Sequence, residues 1–229
     1  MSTAIAIFAK TIGVSPVKTR LAKDIGKDMA EDFYRLSVDA IEELLVTLKT
    51  QLGDEVVPYW AVAEENAASD SRWKSFETIW TGEGDLGERL FNISDKLLKK
   101  HDKIIIIGTD SPQLVSETIL KAIDLLNKNP KNCVIGPAYD GGFYLFGCSN
   151  LVSKEIWTNV IYSKNDTLEQ LLGELEHKNI NHSFIKEMGD VDELEDLKSL
   201  YESLCSIRCN QTLSQKRLIK WLDFINIKV

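Results

Sequence analysis

Four consecutive isoleucines at residues 104–107 impose the strongest constraint on how this chain can fold. The run lacks the alternating polar positions of a strand with one solvated face, so it is typical of a strand buried on both sides. Strands of this kind lie in parallel sheets that helices cover on both faces. Gly108 ends the run, and Asp110 follows directly in the next turn. The run therefore predicts a central strand whose carboxyl end presents an acidic side chain.

The rest of the chain alternates short apolar runs with stretches of helical periodicity. Strands are predicted at residues 4–9, 56–62, 104–107, 134–137, 143–146 and 182–185. Helices are predicted at residues 28–48, 86–99, 115–126, 167–175 and 194–204, and residues 210–229 are interpreted as a helical extension. This alternation predicts a single domain over residues 1–229, with a three-layer α/β/α fold and a mostly parallel central sheet.

Composition narrows the class of protein. A chain of 229 residues with 44% hydrophobic residues is sufficient for one domain with a large core. A net charge of −8 gives no overall attraction for nucleic acid or anionic membranes. The apolar run at residues 4–9 is too short for a signal sequence or a membrane span, and the four cysteines show no disulfide spacing. We therefore expect a cytoplasmic protein. Cys205 and Cys209 are interpreted as helix-face cysteines rather than half of a metal site.

A cationic loop follows the first predicted strand. Residues 1–23 contain no acidic residue but include Lys10, Lys18 and Arg20, and Gly13 makes the loop irregular. Lysine offers a mobile point charge and arginine a bidentate fork, so the pair suits a polyphosphate. A solvated basic loop is the alternative. The glycine patterns of the Walker and dinucleotide-binding loops are absent from this segment.

The turn after the isoleucine strand is the second candidate. Asp110 emerges just past the strand end, where a carboxylate can bind Mg²⁺ or Mn²⁺ together with substrate phosphates. Alternatively, Asp110 or Ser111 merely caps the helix predicted at residues 115–126, with Pro112 in its first turn.

Two further turns contain candidate residues. Asp140, Gly141 and Gly142 form either a hairpin turn or a ligand-binding backbone with Asp140 bonding the ligand. In an extended chain, Asp190 and Asp192 point to the same side and can reach one metal ion.

Helix capping is the alternative role for Asp192 and for a third turn, at residues 82–89. Asp192 with Glu195 would form a capping box for the last long helix. Asp85 with Glu88 would do the same at residues 82–89, whose glycine-rich backbone can also receive an anion. The three histidines show no ligand spacing, and no activated nucleophile is recognisable.

Six ordered motifs extend over nearly the whole chain: IFAK at 7–10, VKTRL at 17–21, GDLGERL at 84–90, GTDSP at 108–112, GPAYDGG at 136–142 and DVD at 190–192. Together they resemble a family of bacterial nucleotide-diphospho-sugar transferase-like proteins, glycosyltransferases of the GT-A fold. The family is related to guanylyltransferases that act on phospholactate. Ile12 stands where the family often has proline, and Glu193-Leu194 where relatives often have Thr-Pro.

The resemblance implies a role for each motif. It assigns phosphate binding to the first loop, a metal site to the acidic motifs, and the sugar or acceptor side to the hairpin turn. The implied substrate-binding residues are Lys10, Gly13, Lys18, Arg20, Asp85, Gly87, Asp140, Gly141 and Gly142. The implied ligands of Mg²⁺ or Mn²⁺ are Asp110, Asp190 and Asp192.

We therefore expect a metal-dependent transferase in which a nucleotide-diphospho-sugar donates its sugar to a small acceptor. Lys18, Arg20 and Asp110 would act catalytically by electrostatics, and Asp140 is the candidate general base. Transfer of a nucleotidyl group from a nucleoside triphosphate to a phosphorylated small molecule, with release of pyrophosphate, is the alternative. A non-catalytic nucleotide-binding protein is the third.

Overall fold

The computed structural model describes residues 1–207 and 209–226 of the chain. Within these residues, seven strands form one sheet. They are β1 (Thr3–Ala9), β2 (Val56–Val62), β3 (Glu77–Trp80), β4 (Lys103–Ile107), β5 (Cys133–Pro137), β6 (Phe143–Cys148) and β7 (His182–Phe184).

Eight α-helices accompany the sheet in the same described ranges. They are α1 (Leu21–Ile25), α2 (Lys27–Leu52), α3 (Leu86–Leu98), α4 (Ser116–Lys128), α5 (Lys154–Asn159), α6 (Thr167–His177), α7 (Leu194–Ser206) and α8 (Leu213–Phe224). Helix α8 lies in the segment interpreted as a helical extension, of which residues 227–229 are outside the described residues.

The strand order is β3-β2-β1-β4-β6-β5-β7. Only β6 runs antiparallel to its neighbours in this described sheet; the other pairings are parallel. The carboxyl ends of β1, β2 and β4 therefore lie at one edge of the sheet. The predicted three-layer α/β fold with a mostly parallel sheet is confirmed.

Helices bury both faces of the sheet, and the strands distribute their side chains accordingly. Along β4, Ile105 and Ile107 enter one hydrophobic cluster, whereas Ile104 and Ile106 enter the cluster on the opposite face. None of the four is more than 4% exposed. The isoleucine run thus forms the doubly buried central strand that the sequence predicts, and it fixes the position at which Gly108 leaves the sheet.

A third hydrophobic cluster lies outside the sheet. It joins α1, α2, α7 and α8, and its buried members are Leu21, Ala30, Phe33, Val191, Leu197, Leu200, Leu204, Leu218 and Leu222. Two of these residues adjoin predicted functional positions: Leu21 follows Arg20, and Val191 lies between Asp190 and Asp192. Burial of Leu21 and Val191 therefore holds the two segments that contain these predicted positions against the helices outside the sheet.

Three elements, α1, α5 and β3, were not predicted from the sequence. Helices α1 and α5 contain five and six residues, fewer than two turns, so an apolar stripe cannot repeat along them. Strand β3 is a four-residue strand at one end of the sheet order, and its residues are exposed or half-buried rather than apolar and buried.

The four cysteines are free thiols; Cys133 and Cys148 are buried, and Cys205 and Cys209 are exposed. The placement of Cys209 on a helix face is wrong, because α7 ends at Ser206. Across residues 1–207 and 209–226, no helix combines the length and the apolar character needed to cross a membrane.

The amino terminus of helix α8 is capped by a carboxylate that is far away in the sequence. Glu43 of α2 accepts hydrogen bonds from the backbone N–H groups of Leu213 (3.0 Å) and Ser214 (2.7 Å). Thr212 and Gln215 form a reciprocal capping box at the same terminus. Burial alone would raise the pKa of Glu43, but the hydrogen bonds from Ser214 and Leu213 lower it.

We expect Glu43→Ala to destabilise the protein by about 0.5–1 kcal/mol at neutral pH, the usual value of a helix N-cap. Because folding lowers the pKa of Glu43, its contribution is complete above about pH 4.3, the ordinary value for glutamate, and is lost as the pH falls through the folded-state pKa. Urea unfolding at neutral and acidic pH measures this difference.

Glu202→Ala is the control, because Glu202 is an exposed residue within α7. It should change the free energy of unfolding less at neutral pH. A Glu43→Ala effect that persists undiminished at low pH would contradict the assignment.

Candidate active site

The carboxyl ends of β1, β2 and β4 open into a cleft of about 570 Å³. The chain passes from β1 to β2 on one side and later to β4 on the other, so the strand order reverses at this edge. In open α/β sheets, ligands bind at such a point, and the volume falls within the usual range for small-molecule sites. The charged residues that line the cleft are Lys10, Lys18, Arg20, Arg89, Asp110, Asp140, Lys164, Asp190 and Asp192.

The ammonium group of Lys18 joins two of the predicted acidic residues. Its Nζ lies 2.5 Å from Asp110 Oδ1 and 3.4 Å from Asp192 Oδ1. It also donates a hydrogen bond to the carbonyl oxygen of Val191 at 2.5 Å. Arg20 Nη1 lies 3.4 Å from the other carboxylate oxygen of Asp192. The structure therefore brings together four predicted residues from three separate segments of the chain.

The Lys18 side chain is only 4% exposed, whereas the side chains of Asp110 and Asp192 are 48% and 43% exposed. Burial alone would lower the pKa of Lys18, but the carboxylates of Asp110 and Asp192 outweigh it and raise the pKa. Lys18 consequently remains an ammonium ion at neutral pH and cannot serve as a base. Its backbone has φ +45°, a left-handed conformation that is uncommon for lysine and typical of constrained functional loops.

Backbone hydrogen bonds hold the two acidic segments against each other. We call residues 108–114 the Asp110 turn and residues 189–192 the Asp192 segment. Ser111 Oγ and Gln113 Nε2 both donate to the carbonyl oxygen of Gly189, at 3.0 and 2.5 Å. The Val191 N–H donates to the carbonyl oxygen of Asp110 at 3.1 Å. The separation of the two carboxylates is therefore set by main-chain contacts.

The start of helix α4 decides between the two interpretations of Asp110, as a helix cap or as a residue that faces the cleft. Helix α4 begins at Ser116 with Val115 as its N-cap, so neither Asp110 nor Ser111 caps it. The expectation that Pro112 opens this helix is wrong as well. Leu114 is 2% exposed, and its burial in the core holds residues 111–115 in a non-helical turn before α4 can start. Asp110 is thereby left free to face the cleft.

The capping box expected for Asp192 and Glu195 is also wrong. Helix α7 begins at Leu194, so its N-cap is Glu193 rather than Asp192, and the third helical position is Asp196 rather than Glu195. The Asp196 carboxylate accepts hydrogen bonds from the N–H groups of Asp192 and Glu193. Val191 and Leu197 are both buried in the third cluster, and their burial fixes the residue at which the helix starts. The Asp192 side chain is therefore available for Lys18 and Arg20.

The hairpin turn between β5 and β6 also lines the cleft. Asp140 and Gly142 line it, and Asp140 Oδ1 accepts a hydrogen bond from the Gly142 N–H at 2.8 Å. Asp190 lines the cleft nearby. Burial, followed by the charge of Asp140, raises the pKa of Asp190 to about 6. The hairpin predicted here is confirmed, because β5 and β6 pair antiparallel on either side of the turn.

Four predicted substrate-binding residues, Gly13, Asp85, Gly87 and Gly141, do not line the cleft. Asp85 caps α3, its side chain accepting from the N–H of Glu88 as the capping interpretation predicts. A Cβ atom on Gly87 would lie 2.3 Å from the carbonyl oxygen of Trp157. The structure therefore gives Asp85 and Gly87 roles in folding, and ligand contact by these residues stays a prediction.

The structure also adds residues that the sequence did not single out. Tyr34 of α2 lines the cleft, and its hydroxyl donates to the carbonyl oxygen of Lys10 and accepts from the Lys10 N–H. Burial raises the pKa of Tyr34 to about 12, so the hydroxyl stays protonated. Arg89 and Lys164 also line the cleft. Arg89 lies in a recognised motif, but nothing in the sequence around Tyr34 or Lys164 distinguishes either from an ordinary surface residue.

Two carboxylates of the cleft are of the type that binds a divalent cation. Asp110 and Asp192 each direct one oxygen at Lys18 Nζ, and both side chains remain half-exposed. Magnesium sites in proteins typically use one or two carboxylates and complete their shell with water and substrate phosphates. Among the described residues, no group of three or more histidine, cysteine, aspartate or glutamate side chains is arranged to hold a metal ion. Asp190 as a third ligand stays a prediction.

Solved structures share this architecture. A protein from Desulfovibrio desulfuricans G20, provisionally named a nucleotide-diphospho-sugar transferase, matches with a TM-score of 0.83 and 23% identity over 98% of this chain and 97% of its own. CMP:2-keto-3-deoxy-manno-octonic acid synthetase, solved with CTP, matches with a TM-score of 0.51 and 14% identity, covering 87% of this chain and 97% of its own. The 4-diphosphocytidyl-2C-methyl-D-erythritol synthase of Anaerococcus prevotii DSM 20548 matches with 0.54 and 13%, covering 85% and 94%.

The chain therefore has the α/β fold of a structure that is provisionally named a nucleotide-diphospho-sugar transferase, as the sequence resemblance implies for the fold. Residues 44–164 match the family described as "Uncharacterized protein conserved in bacteria (DUF2064)", and the chain belongs to this family. None of the curated proteins compared with the chain matches its sequence.

A pair of glycine substitutions tests the structural role of Gly87. Gly87→Ala places a methyl group against the Trp157 carbonyl oxygen, and we expect a loss of about 1–3 kcal/mol of stability from overpacking. Gly173→Ala is the matched change in α6, where nothing lies within 4 Å of the new Cβ atom. It should stabilise the protein by about 0.5–1 kcal/mol through helix propensity. Equal effects of the two substitutions in thermal or urea unfolding would contradict this assignment.

Proposed function

We propose that the cleft is the active site of a metal-dependent transferase that uses a nucleotide-activated donor. The supporting observation is the placement of Lys18 against Asp110 and Asp192, at the edge where β1 and β4 end. A buried ammonium, a flanking guanidinium and two half-exposed carboxylates can bind phosphate groups and a divalent cation side by side. This arrangement suits the transfer of a group away from a phosphate.

We further propose that the transferred group is a sugar and that the donor is a nucleotide-diphospho-sugar. Lys18 and Arg20 are already paired with Asp110 and Asp192, so little of their positive charge remains unbalanced. A diphosphate needs less countercharge than a triphosphate, and this favours the diphospho-sugar. The name given to the Desulfovibrio protein of the same fold agrees with this proposal.

In this reaction the acceptor oxygen forms a bond to the anomeric carbon of the sugar, and the bond from that carbon to the diphosphate breaks. The nucleoside diphosphate leaves with the bonding electrons, and Asp140 accepts the proton of the acceptor hydroxyl. Arg20, which is half-exposed, binds the phosphate oxygens, on which negative charge develops, and the buried ammonium charge of Lys18 stabilises that charge from beside them. Tyr34 holds the backbone of Lys10 at the start of the same loop, and so keeps the loop against the cleft.

Asp110 and Asp192 would hold the Mg²⁺ or Mn²⁺ ion. A bound divalent cation neutralises charge on the leaving diphosphate. The carboxylates are half-exposed, so they can bind an ion without unfolding of the surrounding turns. Lys18 and the ion would share these two carboxylates, and Lys18 can then direct its charge toward the phosphates.

Nucleotidyl transfer is the second candidate, and a different observation favours it. Lys10, Arg89 and Lys164 also line the cleft, and these cations add countercharge for a triphosphate. In that reaction a phosphate oxygen of the acceptor attacks the α-phosphate of a nucleoside triphosphate, and pyrophosphate leaves. Two structures of the same fold are named as synthetases or synthases of cytidine nucleotides, one of them in complex with CTP.

A thermal-shift panel in the presence of Mn²⁺ distinguishes these functions. Because a ligand that binds the native state raises the melting temperature, diphosphates and diphospho-sugars should stabilise the protein if it transfers sugars. Stabilisation by triphosphates alone, with pyrophosphate released in the presence of a phosphorylated acceptor, would support the nucleotidyl alternative instead. No shift with any nucleotide would contradict both functions.

Asp110→Asn tests the proposed cation site. The substitution removes a negative charge but keeps the shape, so Mn²⁺-dependent nucleotide binding should weaken at least about tenfold, the effect expected for losing one charged contact. Asp54→Asn is the matched control, since Asp54 is exposed in the turn before the amino end of β2, away from the cleft. Calorimetric titration measures both. Equal affinity of Asp110→Asn and wild type would remove Asp110 from the site.

A further inference from the structure

Helix α8 reaches the back of the Asp110 turn through one buried side chain. Gln215 is 1% exposed, and its Nε2 donates to the carbonyl oxygens of Pro112 (2.9 Å) and Leu114 (3.0 Å). Its Oε1 accepts from the Thr212 N–H at 3.0 Å. Both amide protons and the amide oxygen are therefore engaged, and the side chain has one orientation that satisfies all three bonds.

The contacts continue from the Asp110 turn to the charged residues. The same turn donates two hydrogen bonds to Gly189, and its Asp110 carbonyl accepts one from Val191. Val191 adjoins Asp192, and its own carbonyl oxygen binds Lys18 Nζ. Gln215 thus lies at the far end of a continuous series of hydrogen bonds that reaches the Lys18 ammonium.

Helix α8 is itself firmly seated. Leu218 and Leu222 are completely buried in the third cluster, which also contains Leu21 and Val191. Glu43 of α2 holds its amino terminus. The helix is therefore a rigid support from which Gln215 can fix the position of the turn.

We propose that Gln215 is a positioning residue for the active site: it holds the Asp110 turn from behind, so that Asp110 meets Lys18 and Asp192 in one geometry. This proposal rests on the proposed function of the cleft. It assigns to the C-terminal helix a part in the active site, although the helix lies outside the β-sheet and Gln215 does not line the cleft. An apolar residue at position 215 would leave the Pro112 and Leu114 carbonyl groups without their donor, and the turn would lose its fixed position.

Gln215→Met tests the proposal, with Gln211→Met as the matched control. Gln211 belongs to the same region, but its Nε2 donates to the carbonyl oxygen of Leu204 in α7 and not to the Asp110 turn. Two readouts are measured for each variant. The first is hydrogen exchange of the Val191 and Leu114 amides, which bond to Asp110 and Ser111 within the linked segments. The second is the affinity for Mn²⁺ with a nucleotide diphosphate.

In Gln215→Met, we expect the Val191 and Leu114 amides to exchange at least about tenfold faster, with amides of β1 and β4 unchanged, because the opening is local. Nucleotide affinity should fall about tenfold, whereas Gln211→Met should alter each readout by less than about twofold. Equal exchange rates in Gln215→Met and wild type would overturn the proposal, and so would equal affinity despite faster exchange.

The exchange measurement separates this proposal from the proposed function. If wild-type protein binds no nucleotide, the function fails, and unchanged exchange rates in the variant still overturn the positioning role. If Gln215→Met does not fold, NMR of the wild-type protein decides. The side-chain amide protons of Gln215 should exchange with water at least about tenfold more slowly than those of the exposed Gln51. Equal rates would overturn the proposal.

Discussion

The ion pairing of Lys18 is the interaction on which the rest of this site depends. Removing an ammonium from water costs several kcal/mol, and the structure offsets that cost with two carboxylates and one carbonyl oxygen. The carboxylates are themselves half-exposed, so one end of the arrangement is fixed and the other remains open to ligands. Because Asp110 and Asp192 come from different turns, their relative position must be set by the backbone around them. The hydrogen bonds at Gly189 and Val191 provide that constraint.

Two kinds of packing support these backbone contacts. The sheet fixes where β1 and β4 end, since β1 and β4 pair in register from Thr3 with Lys103 to Ile7 with Ile107. The third hydrophobic cluster fixes the first loop and the Asp192 segment from outside the sheet, by burying Leu21 and Val191. The sheet by itself fixes where the first loop, the Asp110 turn and the hairpin turn begin, but it does not fix the Asp192 segment. The charged group therefore also depends on the helices that follow the last strand.

Much of the fold could be predicted because its signals are local. The isoleucine run, the long amphipathic helices and the hairpin turn each have a periodicity or turn chemistry that is legible in a few adjacent residues. The candidate residues of the site were also predictable, since Lys18, Arg20, Asp110 and Asp192 follow predicted strands or match family motifs. What the sequence did not indicate was which residue caps each helix. The choice between Asp192 and Glu193 as the N-cap of α7 depends on the burial of Val191, a tertiary contact.

Residues that act through long-range contacts were missed for the same reason. Tyr34 has no distinguishing sequence signal within its amphipathic helix, and Gln215 is one polar residue in a predicted extension. Their significance lies in the backbone groups they bind, at Lys10, Pro112 and Leu114, and those pairings are invisible without the folded chain. Gly87 shows a related difficulty. Its place in a recognised motif suggests ligand contact, which stays a prediction, whereas the close approach of the Trp157 carbonyl that requires its small size is visible only in the folded chain.

The distance along the chain between Lys18 and Asp192, 174 residues, has a consequence for the order of folding. Contacts of such separation form late, because the entropy of closing a long loop must be overcome before they contribute. During synthesis, the strands β1, β2 and β4 can associate when Asp110 is present but Asp192 is not yet made. Until the Asp192 segment has been made and docked, Lys18 lacks two of the three oxygen partners that offset the cost of its burial. The charged site therefore forms only after nearly all of the described chain has folded. A protein that binds its ligand must then have completed folding.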